Sequence, residues 1–410
     1  MRARYLPNSL SLYITYNCFL KCPHCFLVQK GEINRYELPF DTVSELINEA
    51  EAYGVFTVII AGGDPLLHPD FLKIVKLIKS KNIVPLVAST GINLKDEMIK
   101  DIKCAGIPTL QLSLDGASPH THDAIRRSGN FIEVCGAAKR IVASGLNLNI
   151  ALCIHKANAR EVVRLFLLCQ RLEAFSVKLS FYVEFLPTPN CAELNPQEIS
   201  WVLQQARDFA REHERTDWII CPGYDISSGT QLNSVISSPS VVISADGGVS
   251  IDEGAPRFGN VYSGSLAEIY TLHANDLIRN FFKQKLSALS SDYAISSIEV
   301  SSSGLHANAL VYSHESKFHI IIDDCLSEVT QFFTALHEIG HIATETLKFD
   351  PRSVYDQEME FLANEWALSQ IKPNIHPEVL YQYENALFDS ETALYRLIDK
   401  NLARDLVNFF

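Results

Sequence analysis

Apolar positions along the first half of the chain recur with two periods that alternate. Short runs rich in Val, Ile and Leu at 10–15, 55–61, 84–88, 109–114, 148–154 and 177–185 read as strands. Between them, at 41–53, 70–81, 95–105, 130–144 and 159–173, apolar residues return every three or four positions, as on an amphipathic helix. Gly54, Gly106 and Gly145 follow three of these stretches as stop signals. Six β/α units in series predict an α/β fold with a parallel sheet, open or curved into a partial barrel. In such folds chemistry gathers at the carboxyl ends of the strands.

The pattern then changes. A strand-like run at 240–244 and the turn Asp246-Gly247-Gly248 stand in a connecting stretch with little helical periodicity. A serine-rich segment at 287–303, with Tyr293, Ile295, Ile298 and Val300 interleaved, marks a further shift and reads as a boundary region. Beyond it come two β-type runs, 309–312 and 318–322, a helical pattern at 327–346 with Ser327 as its cap, and another at 356–371. The expected division is 1–215, 216–286 and 287–410.

Composition narrows the class. With 410 residues, 47% hydrophobic and 20% charged, the chain has core enough for two or three domains. A formal charge of −13 argues against a nucleic-acid partner held by bulk electrostatics. No run approaches the length of a membrane span, and the start, Met1 to Pro7, lacks the apolar region of a secretory signal. Of ten cysteines, three are clustered; Cys104, Cys135, Cys153, Cys169, Cys191, Cys221 and Cys325 are mostly embedded in apolar patterns, as reduced cysteines of a cytoplasmic protein are.

The clustered three, Cys18, Cys22 and Cys25, follow the first strand directly. Three thiolates in one tight loop can hold three irons of a cubane cluster and leave the fourth iron open to a cosubstrate. The alternative, a zinc site, needs a fourth ligand, for which His24 inside the loop is the one nearby candidate. Three more turns follow strands on the same rim: Gly62-Gly63-Asp64-Pro65, Ser89-Thr90-Gly91, and Ser113-Leu114-Asp115-Gly116 with His122, Asp123 and Arg126 after it.

Taken together, these motifs resemble the radical S-adenosylmethionine (SAM) superfamily. Its C-x3-C-x-aromatic-C motif is matched by Cys18, Cys22, His24 and Cys25, with imidazole as the ring. Its Gly-Gly-Glu-Pro turn, which meets the SAM amino group, is Gly62, Gly63, Asp64 and Pro65, with the acid one methylene shorter. Ser113 and Asp115 match the ribose-contacting strand end, and Ser89, Thr90 and Arg126 are expected in the same site. The run 115–131 resembles the peptide-modifying branch, with Arg127 and Asn130 as departures. The resemblance implies one [4Fe-4S] cluster, SAM, cleavage of SAM by one electron from a reductant such as flavodoxin or ferredoxin, and hydrogen-atom abstraction by the resulting 5′-deoxyadenosyl radical.

The connecting stretch resembles the SPASM or twitch extension of the same branch, down to its Gly259-Asn260 and Ser265-Leu266-Ala267-Glu268-Ile269-Tyr270 ending. Those extensions carry auxiliary clusters. Here Cys221 is the one clear match, and Asp252 stands where the family has a cysteine, so no auxiliary cluster is expected. A cluster on Cys191, Cys221 and non-cysteine groups is the alternative.

The last part contains His337-Glu338-Ile339-Gly340-His341 in a helical pattern. Spacing i, i+4 puts both imidazoles on one face, able to share Zn2+, with Glu338 placed to take a proton from metal-bound water. On the following helix Glu360 shares a face with Ala363, Asn364 and Ala367, which makes it the expected third ligand; Asn364 is a candidate to orient a histidine, and Glu358 and Glu365 point elsewhere. The paired motifs resemble gluzincin metallopeptidases. Tyr355, His376 and Tyr381 are candidate transition-state stabilisers.

The expected architecture is therefore a partial (β/α)6 radical SAM barrel, a degenerate SPASM/twitch-like α+β connector, and a mainly helical α+β zincin-like domain. Two reactive centres suggest one substrate: a ribosomally made peptide, altered by the barrel and trimmed by the zinc domain. With little chain before the first strand, leader recognition is expected of the connector, the zinc domain or a separate protein. Two other readings stand beside this one. In the first, a regulatory metallopeptidase cuts a repressor or partner while the radical domain acts on a small molecule. In the second, an inactive zincin-like domain only grips a peptide.

Overall fold

The computed structural model describes residues 6–7, 9–184, 191–215, 217–222, 224, 226, 240–252, 255–301, 309–324, 328–346, 362–363, 365–367 and 369–370. The chain divides into two compact units, 1–232 with 238–272, and 233–237 with 273–410. This differs from a three-part division at 215 and 286, because strands of the connecting stretch join the first unit's sheet.

Six strands of that sheet come in sequence: β1 (Ser9–Thr15), β2 (Thr57–Gly62), β3 (Val84–Ser89), β4 (Thr109–Ser113), β5 (Asn147–Ile154) and β6 (Ser176–Phe181). The helices α1 (Phe26–Gln29), α2 (Phe40–Ala52), α3 (Phe71–Ser80), α4 (Asp96–Cys104), α5 (Pro119–Ile125), α6 (Asn130–Ala143) and α7 (Val162–Arg171) connect them, and α8 (Pro196–Glu212) leads to β7 (Ile219–Ile220). Each strand from β1 to β7 pairs in parallel with the next. On the other side of β1, β8 (Ser240–Ile243) pairs in parallel, Leu12 against Ile243, and β9 (Gly248–Ser250) and β10 (Gly259–Asn260) follow antiparallel.

Strands in strict sequence with right-handed crossovers keep their helices on one face. The alternation along β5 agrees: Leu148, Ile150, Leu152 and Ile154 are buried, whereas Asn149, Ala151 and Cys153 on the opposite face are only half-buried. The sheet also curls. Five strand spacings would separate β1 from β6 by roughly 24 Å in a flat sheet. Yet Gln29, just after the cysteine loop of β1, donates from Nε2 to the hydroxyl of Tyr182, just after β6, at 3.0 Å. The rings of His24 and Tyr182 are 6.5 Å apart. The half-buried face is thus the inner wall of a partial barrel, closed at its mouth by the cysteine loop.

The start of α9 (Leu266–Asp292) is tied to the first unit, where the Glu49 carboxylate accepts from the amides of Leu266 and Ala267 at 2.9 and 2.8 Å, two of the donors a helix start leaves unpaired. Its remainder belongs to the second unit. There β11 (Ile295–Ser301) and β12 (Ala309–His314) flank β13 (Lys317–Asp323), β11 parallel and β12 antiparallel to it, and α10 (Glu328–Ala343) packs on β12 and β13. The serine-rich segment 287–303, expected as a boundary, is in its described part the end of α9 and the strand β11. Ile320, Ile322, Leu336, Ile339 and Ala367 form the core of this unit. Among the described residues no helix is long and apolar enough to cross a membrane.

Candidate functional site

The cysteine loop leaves β1 at Thr15. Asn34 Oδ1 holds the Cys18 amide at 2.9 Å, the Cys25 amide donates to the Cys22 carbonyl at 3.0 Å, and the Leu20 amide donates to Cys18 Sγ at 3.4 Å. Leu20, Cys22 and Ile92 form an apolar cluster against which Cys18 and Cys25 pack. Burial pushes the Cys18 thiol up to about 11 and the Cys22 thiol to about 12, while the Arg126 charge draws both down. Such groups stay protonated unless a soft metal takes them as thiolates. The donor set fits a thiolate-bound cluster. Among the described residues, no three His, Cys, Asp or Glu side chains converge on a single metal ion.

The turn after β2 is stitched to this loop. The Gly63 amide donates to Thr15 O and the Asp64 amide to Asn17 O, both at 2.8 Å. The fit leaves no room for a side chain: a Cβ on Gly63 would lie 2.4 Å from Asn17 O, and one on Gly62, whose φ is +142°, 2.1 Å from Thr15 O. Asp64 turns inward. Its carboxylate accepts from Leu66 N at 3.2 Å, Ser89 Oγ at 3.1 Å, Thr90 N at 3.2 Å and Thr90 Oγ1 at 2.5 Å. Ser89 and Thr90 are thereby committed to the acid, so the turn presents backbone to a ligand rather than a free carboxylate. Pro65, buried, starts the short helical turn that Asp64 caps.

Two residues past the end of β4 stands a buried, multiply hydrogen-bonded acid, Asp115. Ser113 lies on the strand's half-buried inner face. Asp115 is fully buried; its Oδ2 accepts from Arg126 Nε at 2.6 Å and its Oδ1 from the Cys153 amide at 3.0 Å. Its amide donates to His122 Nδ1 at 3.1 Å, and its carbonyl accepts from Asn158 at 2.9 Å. Burial alone would raise the Asp115 carboxyl, but Arg126, His24 and His122 hold it down at about 2. His24 Nε2 is 3.7 Å from Asp115 Oδ2, and burial keeps this imidazole neutral, down to about 4. Its Nδ1 is buried without a hydrogen-bond partner, so the ring offers one polar atom to a ligand. The structure thus brings Cys18, Cys22, Cys25, His24, Gly62, Gly63, Asp64, Asp115 and Arg126 to one end of one sheet.

Several residues of this end were not singled out from sequence. His155 stacks on His24 at 6.3 Å and faces Cys191 Sγ across 3.9 Å, and Tyr182 stands edge-on to both histidines. Both His155 and Tyr182 directly follow strands, so the rule that found the first four turns reaches them when extended to strands five and six. Cys191 packs with Tyr182 and Ile125 in a cluster that includes Cys153. Cys221 follows β7, its thiol pushed up to about 12 by burial.

In the second unit, His337 and His341 are buried on α10 with their Nε2 atoms 3.1 Å apart, and His341 Nδ1 meets Thr346 Oγ1 at 2.9 Å. Two nitrogens bound to one tetrahedral zinc stand about 3.3 Å apart, so the pair fits that ion. Glu338 is half-buried beside them. A Cβ on Gly340 would lie 2.6 Å from Ala363 O, and Ala363 and Ala367 are fully buried, so the helical residues around 363 pack on α10 through the small face that sequence assigned to them. Glu360 and Asn364, which sequence assigns to the same face, lie outside the described residues, as do Ser327, Tyr355, Glu358, His376 and Tyr381.

Residues 12–169 match the family model of the Radical SAM superfamily. An AdoMet-dependent heme synthase of Methanosarcina barkeri is 25% identical over 207 residues, 50% of this chain and 59% of that protein. The mycofactocin maturase MftC of Mycobacterium tuberculosis is 30% identical over 169 residues, 41% of this chain and 43% of that protein. The chain thus spans about half the length of these relatives. Streptococcus suis SuiB bound to its precursor peptide SuiA shares the fold at a TM-score of 0.55 and 16% identity, over 65% of this chain and 64% of that one. The first unit has a radical SAM-type α/β fold.

Proposed function

We propose that this chain is a radical SAM enzyme that modifies a peptide, with one [4Fe-4S] cluster on Cys18, Cys22 and Cys25. The observation that carries the reading is the stitching of the cysteine loop to the Gly62–Pro65 turn and, through His24, to Asp115 and Arg126. When bound, the cluster supplies an electron to SAM, whose cleavage supplies the hydrogen-abstracting group. The chain's own residues do the rest. Backbone of the Gly62–Pro65 turn would meet the amino-acid end of SAM, with Ser89 and Thr90 holding that turn through Asp64. Ser113 and Asp115 would border the ribose, Arg126 fixes the Asp115 carboxylate, and the free Nδ1 of His24 would serve the cofactor. The curled sheet and the loop across its mouth exclude water. The peptide reading is supported by the resemblance of 115–131 to the peptide-modifying branch and by the maturase among the relatives. A flavodoxin or ferredoxin is the class of reductant required.

Anaerobic reconstitution tests this. About four irons and four sulfides per chain are expected, with 5′-deoxyadenosine formed on reduction. No 5′-deoxyadenosine from a fully loaded protein would sink the reading, and about eight irons would restore an auxiliary cluster to Cys191 and Cys221.

A second reading concerns the C-terminal unit, and the 3.1 Å approach of the two Nε2 atoms favours it. There His337, His341 and Glu360 hold one zinc, and Glu338 serves as the base for peptide hydrolysis, trimming the same substrate. The expected result is about one zinc per chain, lost in His337→Ala and retained in Glu338→Gln, with precursor cleavage at least about a hundredfold slower in the latter. Zinc retained with cleavage unchanged in Glu338→Gln would leave a gripping module instead.

A further inference from the structure

Lys178 places a cation on the inner wall of the barrel, apart from the residues of the cofactor site. Lys178 is the third residue of β6, between Val177 and Leu179, both fully buried toward the helices. Strand alternation therefore turns Lys178 to the inner face. Its register neighbours are Ala151 on β5 and Ile220 on β7, and Ala151 is in register with Ser113 on β4. Lys178 thus shares a row with the residue placed against the ribose, two strand spacings or roughly 10 Å away.

An ammonium carries three donors, and among the described residues that of Lys178 makes no hydrogen bond and no ion pair within 4.0 Å. Among the described residues the opposite charge that acts on it is Asp252, two residues beyond β9. In the order of the sheet β9 lies seven strands from β6, so the curl of the barrel is what brings the two charges to face each other. Ser250 Oγ and the Ala255 amide hold the Asp252 carbonyl at 2.8 and 3.2 Å, which fixes its loop. Here the carboxylate steadies the charge from a distance and leaves its donors free. Burial pulls the amine downward from the usual lysine range and Asp252 opposes that pull, so a second anion at the ammonium would relieve the remaining cost.

We propose that Lys178 anchors the substrate through a carboxylate, so that the peptide presents an acidic side chain or its C-terminal carboxylate beside the carbon that is attacked. The placement of that carboxylate near the reacting carbon rests on the radical SAM reading of the first unit. The anchoring itself rests on the inner-face position and open donors of Lys178.

The test uses the full chain, reconstituted and loaded with SAM, and five synthetic probes at equal concentration. These are Ac-Ala-Asp-Ala-NH2, Ac-Ala-Glu-Ala-NH2, their Asn and Gln counterparts, and Ac-Ala-Ala-Ala-OH. Lys178 is labelled by reductive methylation and followed by peptide mass spectrometry. Carboxylate-bearing probes are expected to slow its labelling about fivefold or more relative to the Asn and Gln probes, with surface lysines unchanged. Protection by the Asp or Glu probes assigns a side-chain carboxylate, and protection by the free-acid probe assigns the C-terminus. Equal labelling with all five overturns the proposal. Lys178→Gln is expected to keep peptide-independent 5′-deoxyadenosine formation within about twofold; its loss in the variant alone would assign Lys178 to the cofactor or the fold and also overturn it. If the wild-type protein forms none, the radical SAM reading falls, and the labelling still decides whether Lys178 binds a carboxylate.

Discussion

Asp115→Asn is expected to destabilise the first unit by about 3–5 kcal/mol and to abolish SAM cleavage. The cost comes from the partner left behind. Arg126 is nearly as buried as Asp115, with side-chain exposures of 10% and 1%, and its Nε donates to Asp115 Oδ2 at 2.6 Å. An asparagine keeps the shape and loses the charge, leaving a guanidinium unpaired in the interior. Against a typical total stability of about 5–15 kcal/mol, that is a large fraction. Arg126→Met strands the carboxylate instead and is expected to cost as much, whereas Asp115→Asn combined with Arg126→Met costs clearly less than the two single losses added together and restores none of the activity. Urea melts of the four proteins measure this; additive losses in the double variant would refute the pairing.

The same network makes the unit sensitive to acid. Asp115 titrates at about 2 in the folded chain, below its unfolded value of about 3.9. Its contribution is therefore complete above about pH 4 and is lost as pH falls toward 2. His122 acts in the same direction at higher pH. Burial lowers its pKa, and its Nδ1 accepts from the Asp115 amide while Nε2 meets Asn130 Oδ1 at 2.8 Å, an arrangement of the neutral ring. Below about pH 6.5 the unfolded chain takes up a proton that the folded ring refuses, so stability declines with falling pH. The urea midpoint is expected to drop steadily from pH 7 to pH 4, and Asp115→Asn removes only the part below about pH 4.

The strands and the rim were legible because both are local. A period of two or of three to four residues, ended by Gly54, Gly106 or Gly145, needs no knowledge of what lies elsewhere in the chain. Placing Cys18, Gly62, Ser89 and Asp115 at strand ends puts them on one rim for any parallel sheet. What escaped was set by partners distant in sequence. Asp64 reads as an acid facing a ligand until Ser89 and Thr90, twenty-five and twenty-six residues on, are seen to hold it inward. The pairing of β8 with β1 joins residues more than two hundred positions apart, so a stretch that reads as a separate connector becomes part of the first sheet. The closure that sets His24 against His155 and Tyr182 depends on the curl of six strands together, which no single window of sequence contains. The face of Ala363 and Ala367 was legible from helical spacing alone, and the close approach of Ala363 to Gly340 is the packing that spacing anticipates.

Cys22→Ala is expected to reduce iron from about four per chain to below one and to bring 5′-deoxyadenosine formation to background, with Cys18→Ala and Cys25→Ala behaving alike. The fold is expected to survive, since a buried cysteine behaves as a small hydrophobe and losing its sulfur costs about 1–2 kcal/mol. Cys169→Ala, in the fully buried core of α7, provides the control: a similar loss of stability with iron and activity retained. The variant that separates a cluster from a zinc site in this loop is His24→Phe. Zinc on three thiolates needs His24 as its fourth ligand, so that substitution would release the metal. In the structure the His24 ring turns its Nε2 toward Asp115, 3.7 Å from Oδ2. Phenylalanine keeps an aromatic ring at this position and is expected to keep the full iron complement, while losing the Nδ1 atom left for the cofactor and so weakening SAM binding about tenfold. Iron retained with weakened SAM binding would place His24 beside the cofactor; metal lost with the imidazole would return the loop to zinc.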